Sequence, residues 1–313
     1  MASKTSSRPR PALPPRSAVR VSCVQWPMQA FDSLPLFIQK VEVLVAAQAS
    51  YKADFVLFPE FFTAPLLTLA QGLDGLQGMR QLARLTPELV EACARMAVAY
   101  RINVIAGTMP VWEKGALYNV AHLCRRDGSI ETQYKLHPTP GEVRDWQMQG
   151  GTALQVFDTD AGRIGIEVCY DVEFPELARL QAAQGMDILF VPSWTDSKYG
   201  YQRVRFCAQA RAIENECYVV LGSSVGMLPE VDCLDNQYGQ SAVFTPSDYG
   251  FPHDAVLAEA TANCAMNLVT DLDLGKLVQV RSQGSVRNAQ DRRHDLYRLQ
   301  WLGRKAGKKP STN

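Results

Sequence analysis

The sequence predicts an α/β fold in which one mixed β-sheet, or two, is covered by helices. Stretches with helical periodicity alternate with short apolar runs of strand length, and several of those runs follow one another with only a turn between. A hydrophobic content of 47% over 313 residues is enough for one large core. No internal linker interrupts the chain, so we read one domain over residues 18–280, with a tail over 1–17 and a polar, basic tail over 281–313.

Residues 19–24 read as a first strand, followed by a helix over about 33–51 that places Phe37, Val41, Leu44 and Val45 on one face. The apolar strand 55–58 leads to Glu60. After a long connection punctuated by glycine, Thr86 and Pro87 fit the N-cap and first position of a helix that carries Leu89, Cys93 and Met96 inward. Residues 102–106 are the next strand. Segments 117–123 and 130–135 predict a hairpin across Asp127-Gly128, because glycine permits the positive φ of such a turn. Lys135 then emerges at a strand end.

A second hairpin, 154–157 with 164–168, turns through Asp160-Ala161-Gly162 and delivers Cys169. A helix begins near Pro175, presents Leu177, Ala178 and Leu180, and stops at Gly185. Strand 187–191 follows. The segment 202–216 reads as a helix with Phe206, Ala210 and Ile213 buried and Arg203, Arg205 and Arg211 turned outward. Strands at 219–222, 241–245, 255–260 and 263–271 close the domain.

Charge and cysteine usage narrow the function classes. With 32 basic and 32 acidic residues there is no electrostatic case for nucleic acid or an anionic membrane, which leaves a small-molecule substrate or a protein partner. No apolar run approaches the ~18 residues of a membrane span. Eight cysteines (23, 93, 124, 169, 207, 217, 233 and 264) are scattered, form no Cys-x-x-Cys pair and follow no secretory leader, so they read as reduced thiols of a cytoplasmic protein. Residues 1–17, rich in Pro, Ser and Arg, carry too few apolar side chains to order, and their prolines argue against the amphipathic helix of a transit peptide. The four histidines are not spaced as metal ligands, and no Gly-rich phosphate loop follows a strand, so neither metal nor nucleotide cofactor is expected.

Three strand ends carry chemistry. Cys169 stands where a strand gives way to a helix, which exposes a nucleophile at an elbow. A free thiol is only a few per cent ionised at pH 7 (about 8.5 being its ordinary pKa) and needs a base beside it; Glu60 can be that base. Attack on an amide creates an oxyanion and must expel an amine. Lys135 and the backbone N–H of Tyr170 can hold the oxyanion, and protonated Glu60 can supply the amine's proton. Phe61, Phe62, Tyr118, Trp146, Tyr170 and Trp194 neighbour these residues in sequence and are candidates for the pocket wall, with Arg144 a candidate for a substrate carboxylate. His137, between Leu136 and Pro138, is expected to fix its loop by hydrogen bonding.

The segments Phe58-Pro59-Glu60, Tyr134-Lys135-Leu136-His137-Pro138 and Cys169-Tyr170-Asp171, the last followed by Phe174-Pro175-Glu176, resemble the Glu, Lys and Cys motifs of the nitrilase superfamily of carbon-nitrogen hydrolases. The resemblance runs from about residue 19 to about 280. It implies a four-layer α-β-β-α sandwich of two mixed sheets that pairs across a homodimer into eight layers, or builds a higher homo-oligomer. It also implies Glu60 as general base, Lys135 as oxyanion stabiliser, Cys169 as nucleophile, and a second glutamate, matched by Glu142, that holds the base and the water. Cys-Tyr-Asp with a following Phe-Pro-Glu is similar to the amidase and carbamoyl-amide branches, whereas nitrile-hydrolysing members tend to carry Cys-Trp-Glu. Residues 135–151 and 236–254 also resemble the hydrolase portion of bacterial proteins that carry an N-acetyltransferase domain in front.

The expectation is therefore a cofactor-independent hydrolase of a small amide or carbamoyl amide. A cysteine thioester would form, releasing ammonia and then a carboxylic acid. A nitrilase or an amide-to-amine acyltransferase on the same fold is the alternative. A non-catalytic interaction scaffold, from another class, would show itself by an unreactive Cys169.

Overall fold

The computed structural model describes residues 18–303 apart from 71, 230, 232, 233 and 235. The tail expected over 1–17, Cys233 and the tail residues 304–313 lie outside the described residues.

The first sheet holds β1 (Ala18–Met28), β2 (Phe55–Leu57), β3 (Asn103–Glu113), β4 (Ala116–Cys124), β5 (Ile130–Tyr134) and the short β6 (Met148–Gln149). The second holds β7 (Val156–Thr159), β8 (Gly162–Ile166), β9 (Ile188–Ser193), β10 (Tyr218–Gly226), β11 (Ala242–Phe244) and β12 (Val256–Glu259). β13 (Met266–Asp273) returns to pair antiparallel with β1 at the edge of the first sheet. Among the described residues the sheets are joined where Trp26–Met28 of β1 runs parallel to Ser224–Gly226 of β10. Between them lies one apolar layer, in which Phe55 meets Phe190 with ring centroids 5.2 Å apart.

The outer face of the first sheet packs on α1 (Leu34–Ser50) and α2 (Gly75–Tyr100). The outer face of the second packs on α5 (Lys198–Asn215), with α4 (Pro175–Ala182) against α5. The layers are thus α-β-β-α, and the sandwich implied by the resemblance is the fold observed. Residues 55–57 are apolar without alternation because both faces of β2 are covered. The two hairpins form as expected, and Gly128 takes φ +88° in the first of them.

Three readings of the sequence are corrected. α2 starts at Gly75, capped by the Asp74 carboxylate accepting from Gln77 N at 2.7 Å, so Pro87 lies inside the helix and not at its start. An interior proline costs about 3 kcal/mol, but Met79, Leu82, Ala83, Leu89, Cys93 and Met96 make one continuous buried face across it, and their burial outweighs the breaker.

The buried face of α5 is also rotated: Phe206 is 60% exposed and Arg211 only 5%. The helix carries two stripes at helical spacing, and the one that turns inward is Tyr201, Val204, Ala208 and Ala212, with Arg211 satisfied by the carbonyls of Val172 and Glu173 and by Glu214. Finally, residues after Asp273 form α6 (Leu274–Gln283), which buries Leu274, Leu277 and Val280. Arg281, the first residue of the expected tail, is bound to Asp187 and to the carbonyls of Met186 and Glu216.

Candidate active site

Four strand ends and one short helix converge on a cavity of about 770 Å³. Glu60 follows β2 on a tight elbow in which Phe61 takes φ +47° and its N–H donates to Thr108 Oγ1 at 3.0 Å. That elbow presses on a bulge in β3. A Cβ on Gly107 would lie 1.9 Å from the Pro59 carbonyl oxygen, so only glycine fits there. Lys135 extends the β5 pairing by one residue, its N–H donating to Asn119 O at 2.9 Å and its carbonyl accepting from Gly151 N at 2.8 Å.

Glu142 is the third residue of α3 (Pro140–Trp146) and closes a capping box with Thr139. Cys169 follows β8 at φ +50° and opens a 3₁₀ turn over Cys169–Glu173, the strained strand-to-helix elbow expected from the sequence.

The side chains form a closed ring. Lys135 Nζ donates to Glu60 Oε1 at 2.8 Å and to Glu142 Oε2 at 2.6 Å. Asn119 Nδ2 donates to Glu60 Oε1 at 2.8 Å and to Glu142 Oε1 at 3.0 Å. Thr139 N reaches Glu142 Oε2 at 2.7 Å. Cys169 Sγ lies 3.4 Å from the Trp194 carbonyl, and Glu60 is near enough to act on its acidity. Asp171 ties the nucleophile elbow to the lysine loop: its carboxylate accepts from Leu136 N (3.1 Å), His137 N (2.8 Å) and Val168 N (3.3 Å) and faces His137 Nδ1 at 2.9 Å. His137 stacks on Phe174 at 3.8 Å and so anchors its loop.

All four groups are buried, and burial sets their acidities. Desolvation raises Glu60 above the ordinary carboxylate value; the charge of Glu142 adds to this, and Lys135 opposes it. Burial also pushes Glu142 upward, but Lys135 and the donors Thr139 N and Asn119 overcome it and hold that carboxyl below its usual value. Desolvation alone would lower Lys135, yet Glu142, Glu60 and Cys169 raise it, so the ammonium stays charged. The Cys169 thiol is pushed well up by burial and then by Glu60. At rest the centre therefore holds a thiol, an ammonium and one firmly ionised carboxylate.

Phe61, Trp146, Tyr170 and Trp194 line the cavity as expected, with Trp146 and Trp194 each edge-on to Phe61 at 5.5 and 5.9 Å. Tyr118 does not. Side chains alternate along a strand, so with Asn119 directed into the site Tyr118 points away, against Tyr134 at 5.4 Å in a separate hollow. Phe62 belongs to the core beside Trp26, Phe37 and Phe58. Arg144 lines the cavity mouth, paired with Asp145.

Sequence reasoning missed Glu173, Asp196 and Arg203 at the mouth, and the roles of Asn119 and Asp171. An acid two residues into a turn after a strand was a legible signal for Asp171. Asn119 sits mid-strand and gives none.

A buried thiol, two carboxylates and an ammonium at the strand ends of a four-layer sandwich define the class of protein. The chain belongs to the carbon-nitrogen hydrolase family, whose model matches residues 20–280. It is 41% identical over 283 residues to a probable hydrolase, YhcX, of Bacillus subtilis, covering 90% of this chain and 55% of that protein, so it spans about half of that relative's length. It is 27% identical to the omega-amidase NIT2 of Xenopus tropicalis, over 82% of this chain and 89% of that one. The C. elegans NitFhit protein shares the fold, with a TM-score of 0.75 at 24% identity over 91% of this chain and 67% of that chain. No helix among the described residues is long and apolar enough to cross a membrane.

Proposed function

We propose that the protein hydrolyses a small amide or carbamoyl amide through a thioester on Cys169, with no cofactor. The observation that carries this reading is the Glu60 carboxylate held by the Lys135 ammonium at 2.8 Å and lining one cavity with the Cys169 thiol, whose acidity it shifts. Amidase names among its relatives, and Cys-Tyr-Asp at the nucleophile, favour an amide over a nitrile.

Glu60 takes the thiol proton as Cys169 Sγ attacks the carbonyl carbon. The thiol is neutral at rest, so base and nucleophile act together. Lys135 has three protons, two of them held by Glu60 and Glu142; the third, with the Tyr170 N–H at the open start of the 3₁₀ turn, faces the developing oxyanion. Glu60 then returns the proton to the leaving nitrogen, the C–N bond breaks, ammonia departs and the acyl thioester remains. Water gives a proton to Glu60 and attacks the thioester, the C–S bond breaks, and the carboxylic acid leaves as the thiol regains its proton. A cytoplasmic location is part of the proposal, supported by the seven described cysteines being free thiols.

The test is ammonia release over a panel of amides, ureas and nitriles, with the acyl adduct on Cys169 sought by intact mass spectrometry. Wild type should turn over an amide and Cys169→Ala should not. Undiminished turnover in Cys169→Ala overturns the proposal.

A further inference from the structure

We propose that Asn119 is a positioning residue for this centre: its side-chain amide bridges the two buried glutamates and fixes which oxygen of Glu60 meets Cys169. The inference deepens the reading above and rests on Glu60 acting as the base.

Asn119 has two amide protons, and both go to carboxylates, one to Glu60 Oε1 and one to Glu142 Oε1. The chemistry sets the orientation of the amide, since the flipped form would direct a carbonyl at two carboxylates. The cost is visible: Asn119 Oδ1 is buried with no hydrogen-bond partner, an arrangement that by itself destabilises the fold. A strand residue chosen for stability alone would not leave its carbonyl bare to feed two acids.

The consequence for Glu60 is geometric. Oε1 already accepts from Lys135 Nζ and Asn119 Nδ2, so Oε2 is the oxygen left for the thiol. Glu142, by contrast, has a donor on each oxygen, Asn119 on Oε1 and Lys135 with Thr139 N on Oε2, and so serves as the anchor of the ring. The backbone of Asn119 completes the device, because its carbonyl receives the N–H of Lys135. One mid-strand residue thus orients the base and the ammonium and braces the second glutamate.

Removing the amide also removes a donor from Glu60, whose carboxyl burial already raises. The base would then hold its proton to higher pH. This is read without knowing the substrate, by the rate at which iodoacetamide alkylates Cys169 from about pH 5 to about pH 9, followed on the Cys169 peptide by mass spectrometry. In that reaction the thiolate sulfur displaces iodide from the methylene carbon, and the thiol proton passes to Glu60.

Asn119→Ala, Asn119→Ser and the isosteric Asn119→Asp are compared on whichever retain the wild-type circular dichroism. We expect the rising limb to move up by about one pH unit in Asn119→Ala, a roughly tenfold loss of rate near neutrality, and further in Asn119→Asp, where a third acid joins the pair. A purely structural role would lower the melting temperature and leave the limb in place. A folded variant whose limb coincides with wild type overturns the inference while leaving the proposed function standing. A wild-type Cys169 that resists alkylation across the whole range overturns both.

Discussion

Glu167, two residues before the nucleophile, is the strangest side chain behind the site. It is fully buried, and both carboxylate oxygens lack a hydrogen-bond partner. Burial, then the charge of Asp171, push its carboxyl well above the ordinary 4.5, with only Arg211 opposing. The sign follows from linkage: above about pH 4.5 the unfolded chain releases this proton while the folded chain keeps it, so the stabilisation present at lower pH is lost as pH rises toward the folded value. Glu167→Gln removes the titration at nearly constant volume. It should be more stable than wild type near neutral pH by about 1–3 kcal/mol, with the gain shrinking toward pH 4.5. Urea denaturation at several pH values measures this, and a gain independent of pH would contradict it. Residues such as Glu60, Lys135, Cys169 and Glu142 were legible because each ends an apolar run or sits in a local motif. Asn119 and Glu167 were not, since what they do depends on strands far apart in sequence.

The elements show where local signals suffice and where packing overrides them. The Asp127-Gly128 turn and the thiol at the end of β8 were readable because backbone chemistry over a few residues decides them. The start of α2 was not: Thr86-Pro87 is a sound capping signal, and only the apolar face that continues from Met79 to Met96 shows that the helix passes through it. The β3 bulge is another tertiary feature. Gly107 takes φ +48° there, and an added Cβ would meet both the Pro59 and Phe58 carbonyl oxygens, at 1.9 and 2.8 Å. Gly107→Ala should therefore cost about 1–2 kcal/mol for the left-handed backbone alone and more for the overlap. Relief of that overlap must displace the Glu60 elbow, so alkylation of Cys169 should slow beyond what the stability loss explains. Chemical denaturation and Cys169 labelling together read both effects, and a variant equal to wild type in each would show that the bulge is not required.

At the scale of the whole molecule, the face of α5 that the sequence placed in the core is open at Phe206, with Ala210 and Ile213 half-buried. Tyr199 and Phe206 are 84% and 60% exposed on it, and the segment after α6 exposes Leu296, Tyr297 and Leu302. A monomer gains nothing from large apolar side chains in water, and an apolar face on one helix suits a two-fold contact in which each copy covers the other. We therefore propose the homodimer that the resemblance implies, with α5 in the contact. The opposite face of this helix gives the contact a route to the chemistry: Arg211 donates to the carbonyls of Val172 and Glu173 at 2.9 and 3.3 Å, within the turn that Cys169 opens. A shift of α5 would thus be felt at the nucleophile elbow. Light scattering at about 10 μM, where an interface of ordinary affinity is saturated, should give twice the chain mass for wild type. Phe206→Asp, which sets two like charges near each other across the two-fold contact, should shift that mass toward a single chain and slow Cys169 alkylation several-fold without moving its pH profile. A wild-type protein that scatters as one chain would remove the dimer from the account. A monomeric Phe206→Asp variant with unchanged Cys169 reactivity would keep the dimer and remove the coupling through Arg211.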